Sequence, residues 1–200
     1  VAVGRKPATA NLGLETVEVV LDRRGYIQTD TMMETSTPGL YAIGDIVPTP
    51  QLAHLASHEA LVAAGHAAGQ PEPAIRYDAV PSCTYSNPEV ASVGLREDVA
   101  AARGHLVKVG RFPFSSLGKA SILGEPHGFI KVVADAENRK VLGVHMVGPR
   151  VTELIGEAVA AMGLGATVDH WAETIHPHPT LSEALGEAIL AAAGRPVHGA

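Results

Sequence analysis

The clearest periodicity in the chain lies late. Val151, Leu154, Ile155, Ala158, Val159 and Met162 recur at i, +3, +4, +7, +8 and +11, one apolar stripe of an α-helix. Gly163 and Gly165 follow as stop signals. Upstream, residues 128–133 and 141–147 are β-prone runs on either side of the polar stretch 135–140, the pattern of a hairpin. Residues 105–114 read as another strand, and residues 80–94 carry strand and turn signals. A short helical turn is expected at 168–174 and a last helix at 181–193. Strands followed by helices in succession make the second half an α+β unit.

The first half is less regular. Residues 1–3 read as a strand running into a loop at 4–7, and 17–21 and 25–29 as short strand-like pieces across a charged turn. Residues 40–43 form a β-prone run that ends at Gly44-Asp45. Residues 52–68 are Ala-rich without proline and predict a helix, closed by Gly69 with Pro71 and Pro73 beyond. Residues 69–78 are therefore the candidate domain boundary. A chain that opens directly into a strand is expected to be a piece of a longer protein.

Composition narrows the function. At 200 residues and 46% hydrophobic content the chain can bury a sizeable core. A net charge of −6 with no Lys/Arg run argues against nucleic acid as a partner. No apolar stretch approaches the ~20 residues of a membrane helix. The single cysteine, Cys83, excludes an internal disulfide and any two-cysteine redox centre within this chain. It fits a reducing compartment, and a cytoplasmic location is expected. Cys83 lies among β-formers and reads as a small buried hydrophobe. Trp171 and Met162 read as core.

Two segments carry candidate chemistry. In Tyr41-Ala42-Ile43-Gly44-Asp45 a β run ends in a glycine that permits close approach, then an Asp able to accept hydrogen bonds from hydroxyl groups. A plain Gly-Asp turn is the competing reading. In His176-Pro177-His178-Pro179-Thr180-Leu181-Ser182-Glu183, the X-Pro bonds hold two histidines on an extended path. Thr180 and Glu183 then have the spacing of a capping box, with Thr180 at the N-cap. Three readings stand side by side: an exposed Pro-rich turn with a capping Glu, a His-x-His metal pair, or an imidazole base with an orienting carboxylate. The metal reading lacks a third ligand at usual spacing. His54 and His58 sit four apart on the predicted helix, but no Glu follows His54, so no metal site is assigned. Gly163-Leu164-Gly165 lacks the third glycine of a dinucleotide loop and reads as a helix C-cap.

With Thr37-Pro38-Gly39-Leu40 before it and Gln51-Leu52-Ala53-His54 after it, the Gly44-Asp45 segment resembles the second flavin motif of the FAD-dependent pyridine nucleotide–disulfide oxidoreductases. The resemblance implies Asp45 as ligand of the FAD ribityl chain. It also implies Gln51, Leu52, Ala53 and His54 beside the isoalloxazine, where a helix N-terminus favours negative charge on reduced flavin. The octapeptide at 176–183 resembles the C-terminal active-site signature of the dihydrolipoamide dehydrogenase branch. That implies His178 as the base, Glu183 as its hydrogen-bonding partner and a cis His178–Pro179 bond, with no chemical role for His176. Residues 80–94 resemble the opening of the dimerisation domain of the same family.

The resemblance covers nearly the whole chain. It implies the end of an NAD-binding domain at 1–7, the C-terminal segment of an FAD-binding domain at 8–78 and the dimerisation (interface) domain at 79–200. The implied fold is thus α+β, an antiparallel sheet with helices preceded by the returning segment of the flavin domain. The implied protein is a homodimer with FAD and NAD as cofactors. It oxidises dihydrolipoamide carried on the acyltransferase component of 2-oxo acid dehydrogenase complexes, with His178 of one subunit serving a redox disulfide of the other. The helix at 151–162 and the last helix are expected to contribute to the dimer contact. The chain contains no Gly-x-Gly-x-x-Gly and no Cys-x4-Cys. Alone it is expected to be inactive. The alternatives are a sibling reductase of glutathione, mycothiol or mercuric type, or a non-catalytic dimerisation module.

Overall fold

The predicted hairpin forms the centre of a five-stranded sheet. The computed structural model of the chain describes residues 2–70 and 72–198, and these fall into two compact units that divide between Arg76 and Tyr77. In the second unit the strands are β1 (Ser82–Thr84), β2 (Glu89–Gly94), β3 (Val107–Pro113), β4 (Phe129–Asp135) and β5 (Val141–Gly148). They are ordered β1-β2-β5-β4-β3 and every neighbouring pair is antiparallel. The β4–β5 register pairs Val132 with Val144 and Ile130 with Met146, so alternate side chains share one face. Ala91 and Val93 of β2 and Phe112 of β3 are buried with them.

Helices cover that face. The apolar stripe read from the sequence becomes α4 (Val151–Gly163), preceded in the chain by α1 (Ala53–Ala67), α2 (Glu97–Ala102) and α3 (Gly118–Leu123), and followed by α5 (Val168–Trp171) and α6 (Glu183–Ala193). Val151, Ile155, Ala158 and Met162 are buried, as the period requires, while Leu154 and Val159 pack at the margin of the same cluster. Helix α4 lies on β2 and β5, α6 lies on β3 and β4, and α5 packs against α6. The core includes Phe112, Phe114, Leu185 and Ile189, all fully buried. Burial of each such side chain contributes about 1.5–3 kcal/mol. Trp171 and Met162 belong to this core. Cys83 only packs on its edge, so it is half-buried rather than buried.

The first unit departs from its expected strands. Ala2 and Val3 are irregular, and Val1 lies outside the described residues, as does Pro71. The strand-like pieces at 17–21 and 25–29 reduce to an isolated Leu21–Ile27 bridge, with Thr29–Thr35 and Glu34–Tyr41 as further single bridges. Val20 and Leu21 stay largely exposed, so their β propensity has no sheet face to fill. Residues 40–43 supply one bridge and then enter a 3-10 turn at Gly44–Ile46. Two small apolar clusters hold the unit, one around Ile27, Ala42 and Val47 and one around Met33, Val62 and Ala63. The Ala-rich helix forms as predicted and ends before Gly69, which takes the left-handed φ of 70°.

Candidate active site

Helix α6 starts two residues later than the sequence suggests. The capping box at 180–183 is only half made. Glu183 Oε2 accepts the Thr180 N–H at 2.8 Å, the backward arm of the motif. Thr180 Oγ1 does not cap the helix. It donates instead to the Pro177 carbonyl at 2.7 Å and lies 2.7 Å from Ser182 Oγ. The helix N-cap is Ser182, without a side-chain cap bond. Thr180 therefore fastens the loop before the helix, and Glu183 is left with one oxygen for another partner.

That partner is His178. Its Nδ1–H donates to Glu183 Oε1 at 2.8 Å. A carboxylate acceptor fixes the proton on Nδ1 and leaves Nε2 as the basic nitrogen. The His178 side chain is 79% exposed, and Nε2 has no hydrogen-bond partner among the described residues. Burial acts to raise the Glu183 carboxyl. The Thr180 N–H and the His178 ring outweigh it and hold Glu183 below the ordinary carboxylate range. The His178–Pro179 bond is cis. The pair opens on a cleft of about 350 Å³ whose walls include Phe112, Leu117, Trp171, His176 and Gly186. An exposed imidazole that lines a cleft and is backed by an ionised acceptor can take a proton from a bound acid.

The structure also places residues that sequence reasoning passed over. His176 is not a spectator of the turn: its side chain is 10% exposed and Nε2 lies 3.0 Å from Glu157 Oε1. Glu157 stands 19 positions earlier on α4, and nothing in the local sequence links the two. Beside the same cleft, Glu187 pairs with His198 Nδ1 at 2.7 Å and accepts the N–H groups of Val197 and His198. Among the described residues no three His, Cys, Asp or Glu side chains form a group able to hold a metal ion. No described helix is long and apolar enough to cross a membrane. Burial pushes the Cys83 thiol up, with Glu89 and Glu153 adding to it, which works against a thiolate.

In the first unit, Asp45 sits in the 3-10 turn with its carboxylate 56% exposed and 3.2 Å from Arg5 Nη1. Gly44 has a φ of 72°, and its N–H donates to Glu59 Oε2 at 2.7 Å. Glu59 is fully buried, yet its Oε1 has no partner, and neither has the buried Thr49 Oγ1. Gln51 and Leu52 lead into α1, and Ala53 and His54 open it; the helix has no side-chain cap at its N-terminus. An exposed carboxylate, an uncapped helix start and two orphaned buried oxygens fit a polyol-bearing ligand with an anionic end. Asp45 and residues 51–54 thus share one unit, whereas His178 and Glu183 belong to the other.

Comparison with known proteins defines the class. Residues 80–189 match the dimerisation domain of the pyridine nucleotide-disulphide oxidoreductases, and residues 1–60 match the pyridine nucleotide-disulphide oxidoreductase family itself. The chain belongs to this family. Among its relatives, it is 54% identical over 198 residues to a dihydrolipoyl dehydrogenase of Thermus scotoductus and 49% identical to that of Bacillus subtilis. In both cases 99% of this chain is covered but only 42% of the relative, so the chain spans less than half the length of these proteins. Among solved structures, LpdA of Mycobacterium tuberculosis matches with a TM-score of 0.89 at 31% identity, over 94% of this chain and 41% of that one. The flavoprotein disulfide reductase RclA of Escherichia coli shares the fold, with a TM-score of 0.84 at 24% identity over 94% of this chain and 43% of that one.

Proposed function

We propose that this chain is the acid/base and dimer-forming part of a flavoprotein that oxidises dihydrolipoamide with NAD+. The observation that carries the reading is the His178–Glu183 pair, with Nδ1 engaged at 2.8 Å and the exposed ring lining the cleft. Dihydrolipoamide is a dithiol, and only its thiolate attacks a disulfide. His178 Nε2 removes the thiol proton. Glu183, ionised and anchored by the Thr180 N–H, holds the ring and stabilises the imidazolium that results. The disulfide under attack lies outside this chain, since Cys83 is its only cysteine. His178 serves it from the partner subunit of a homodimer. The relatives named dihydrolipoyl dehydrogenase favour the lipoamide substrate over glutathione, mycothiol or mercuric ion. The natural substrate is then the dihydrolipoyl group of an acyltransferase in a 2-oxo acid dehydrogenase complex, in a reducing, cytoplasmic setting.

Asp45 would hold the ribityl hydroxyls of FAD, with Gln51, Leu52, Ala53 and His54 at the helix start beside the ring. Bound flavin supplies the two-electron carrier between the disulfide and NAD+. In the full-length protein, His178→Gln is expected to lower turnover of dihydrolipoamide by at least ~10²-fold while FAD stays bound. Turnover within a few-fold of wild type, or wild-type reduction of glutathione disulfide in place of dihydrolipoamide oxidation, would overturn the reading.

A further inference from the structure

Three helices meet at the His176–Glu157 pair. Glu157 of α4 meets Nε2 at 3.0 Å, and the same Glu157 oxygen accepts the Trp171 indole N–H of α5 at 2.8 Å. The ring rests on the backbone of α6: a Cβ added at Gly186 would lie 2.8 Å from His176 Nδ1. The charged groups facing the ring are Glu157 from α4 and Glu183 from α6, and α5 presents the neutral Trp171. The hydrogen bond to Glu157 raises the His176 pKa and prevails over burial, with further support from both carboxylates and the Thr174 backbone. Burial works to raise Glu157. The His176 and Trp171 hydrogen bonds overcome it and hold the carboxyl low. The ion pair is the favoured form of both partners.

One residue, Pro177, separates this ring from His178. Proline locks φ, which leaves a single soft backbone dihedral at that position. The Pro177 carbonyl is itself held by Thr180 Oγ1, and Thr180 by Glu183. Glu183 feels the charge of both rings. Fixing His176 therefore fixes the path on which His178 is presented, and the pair with Glu157 keeps net charge beside the dyad at zero.

We propose that His176 is a positioning residue for the His178–Glu183 pair: clamped to Glu157, it anchors the loop and balances a half-buried carboxylate next to the base. The proposal rests on the acid/base reading of His178. It predicts a defined charge effect. Removing the His176 cation leaves Glu157 without its counter-charge and takes a positive charge from beside Glu183. Removing both partners restores neutrality.

The test uses the full-length protein, with steady-state oxidation of dihydrolipoamide followed along the acid limb of the pH profile. Bound FAD and dimer mass are measured as folding controls. His176→Gln is expected to lower kcat about tenfold or more at near-constant KM and to move the acid limb to higher pH. Adding Glu157→Gln is expected to return the limb toward wild type and recover part of kcat. If His176→Gln changes neither kcat nor the limb while His178→Gln is inactive, the anchor is refuted and the acid/base reading stands. A loss of kcat with no shift of the limb and no recovery in the double variant marks a merely structural residue and also refutes the proposal. An active His178→Gln overturns both readings. Should His176→Gln fail to form a folded dimer, a folded and active double variant supports the same coupling, and a double variant equally unfolded overturns it.

Discussion

Residues that look alike in the sequence do different work once their surroundings are known. His105, His176 and His178 each meet a carboxylate, at 2.7, 3.0 and 2.8 Å. Of these three, His178 alone keeps a largely exposed ring, 79% accessible, on the cleft. The His105 partner, Asp135, is buried at the β4–β5 turn, where its other oxygen accepts the N–H groups of Glu137 and Asn138. The His105 hydrogen bond, then those two N–H groups, hold the Asp135 carboxyl below the usual range. A depressed carboxylate contributes stability above its unfolded pKa of about 3.9, and that stability is lost as pH falls through the lower folded value. Wild type is thus expected to melt above Asp135→Asn at neutral pH, with the gap closing as pH drops below about 4. Thermal melts of both proteins over that range check this, and a constant gap would refute it.

At the scale of elements, the decisive contact is between β3 and α6. Gly110 in β3 packs directly on the α6 backbone: a Cβ there would overlap the Ala188 carbonyl oxygen and the Ala192 N–H. This closeness sets the height of α6 above the sheet, and hence where Glu183 at its start stands. Gly110→Ala is expected to destabilise the fold by ~1–3 kcal/mol through overpacking. Gly118→Ala has nothing within 4 Å of the added Cβ and is expected to be near neutral. Urea denaturation of the two variants separates the cases, and equal midpoints would refute the packing argument. Elements with their own period were legible in the sequence. The α4 stripe and the β4–β5 hairpin needed no outside partner to declare themselves. The pieces at 17–21 and 25–29 do pair across their charged turn, but only through the Leu21–Ile27 bridge and the bonds beside it, because β propensity alone does not extend a ladder.

At the scale of the whole molecule, the candidate chemistry divides between the two units. The flavin-side residues, Asp45 and 51–54, belong to the first, and the acid/base pair to the second. If the tasks are separable, Asp45→Ala in the full-length protein should weaken FAD retention and leave the dimer mass unchanged. Flavin absorbance after gel filtration, together with light scattering, measures both. A variant that keeps stoichiometric flavin would remove Asp45 from the site.

The sequence by itself determined the order of elements in the second unit, the half-apolar faces that pack them, and the family, because periods of 3.6 and 2 and an eight-residue signature are local properties. It also named His178 and Glu183, five apart in one segment. Tertiary structure alone decided the rest. It moved Thr180 from helix cap to loop fastener, put the α6 backbone against Gly110 and His176, and joined His176 to Glu157 across 19 residues. Those outcomes depend on which surfaces two separate elements bring together, and no local pattern carries that information. The turn histidine that looked idle is 10% exposed and paired with Glu157, because burial demands a partner and here another helix supplies it.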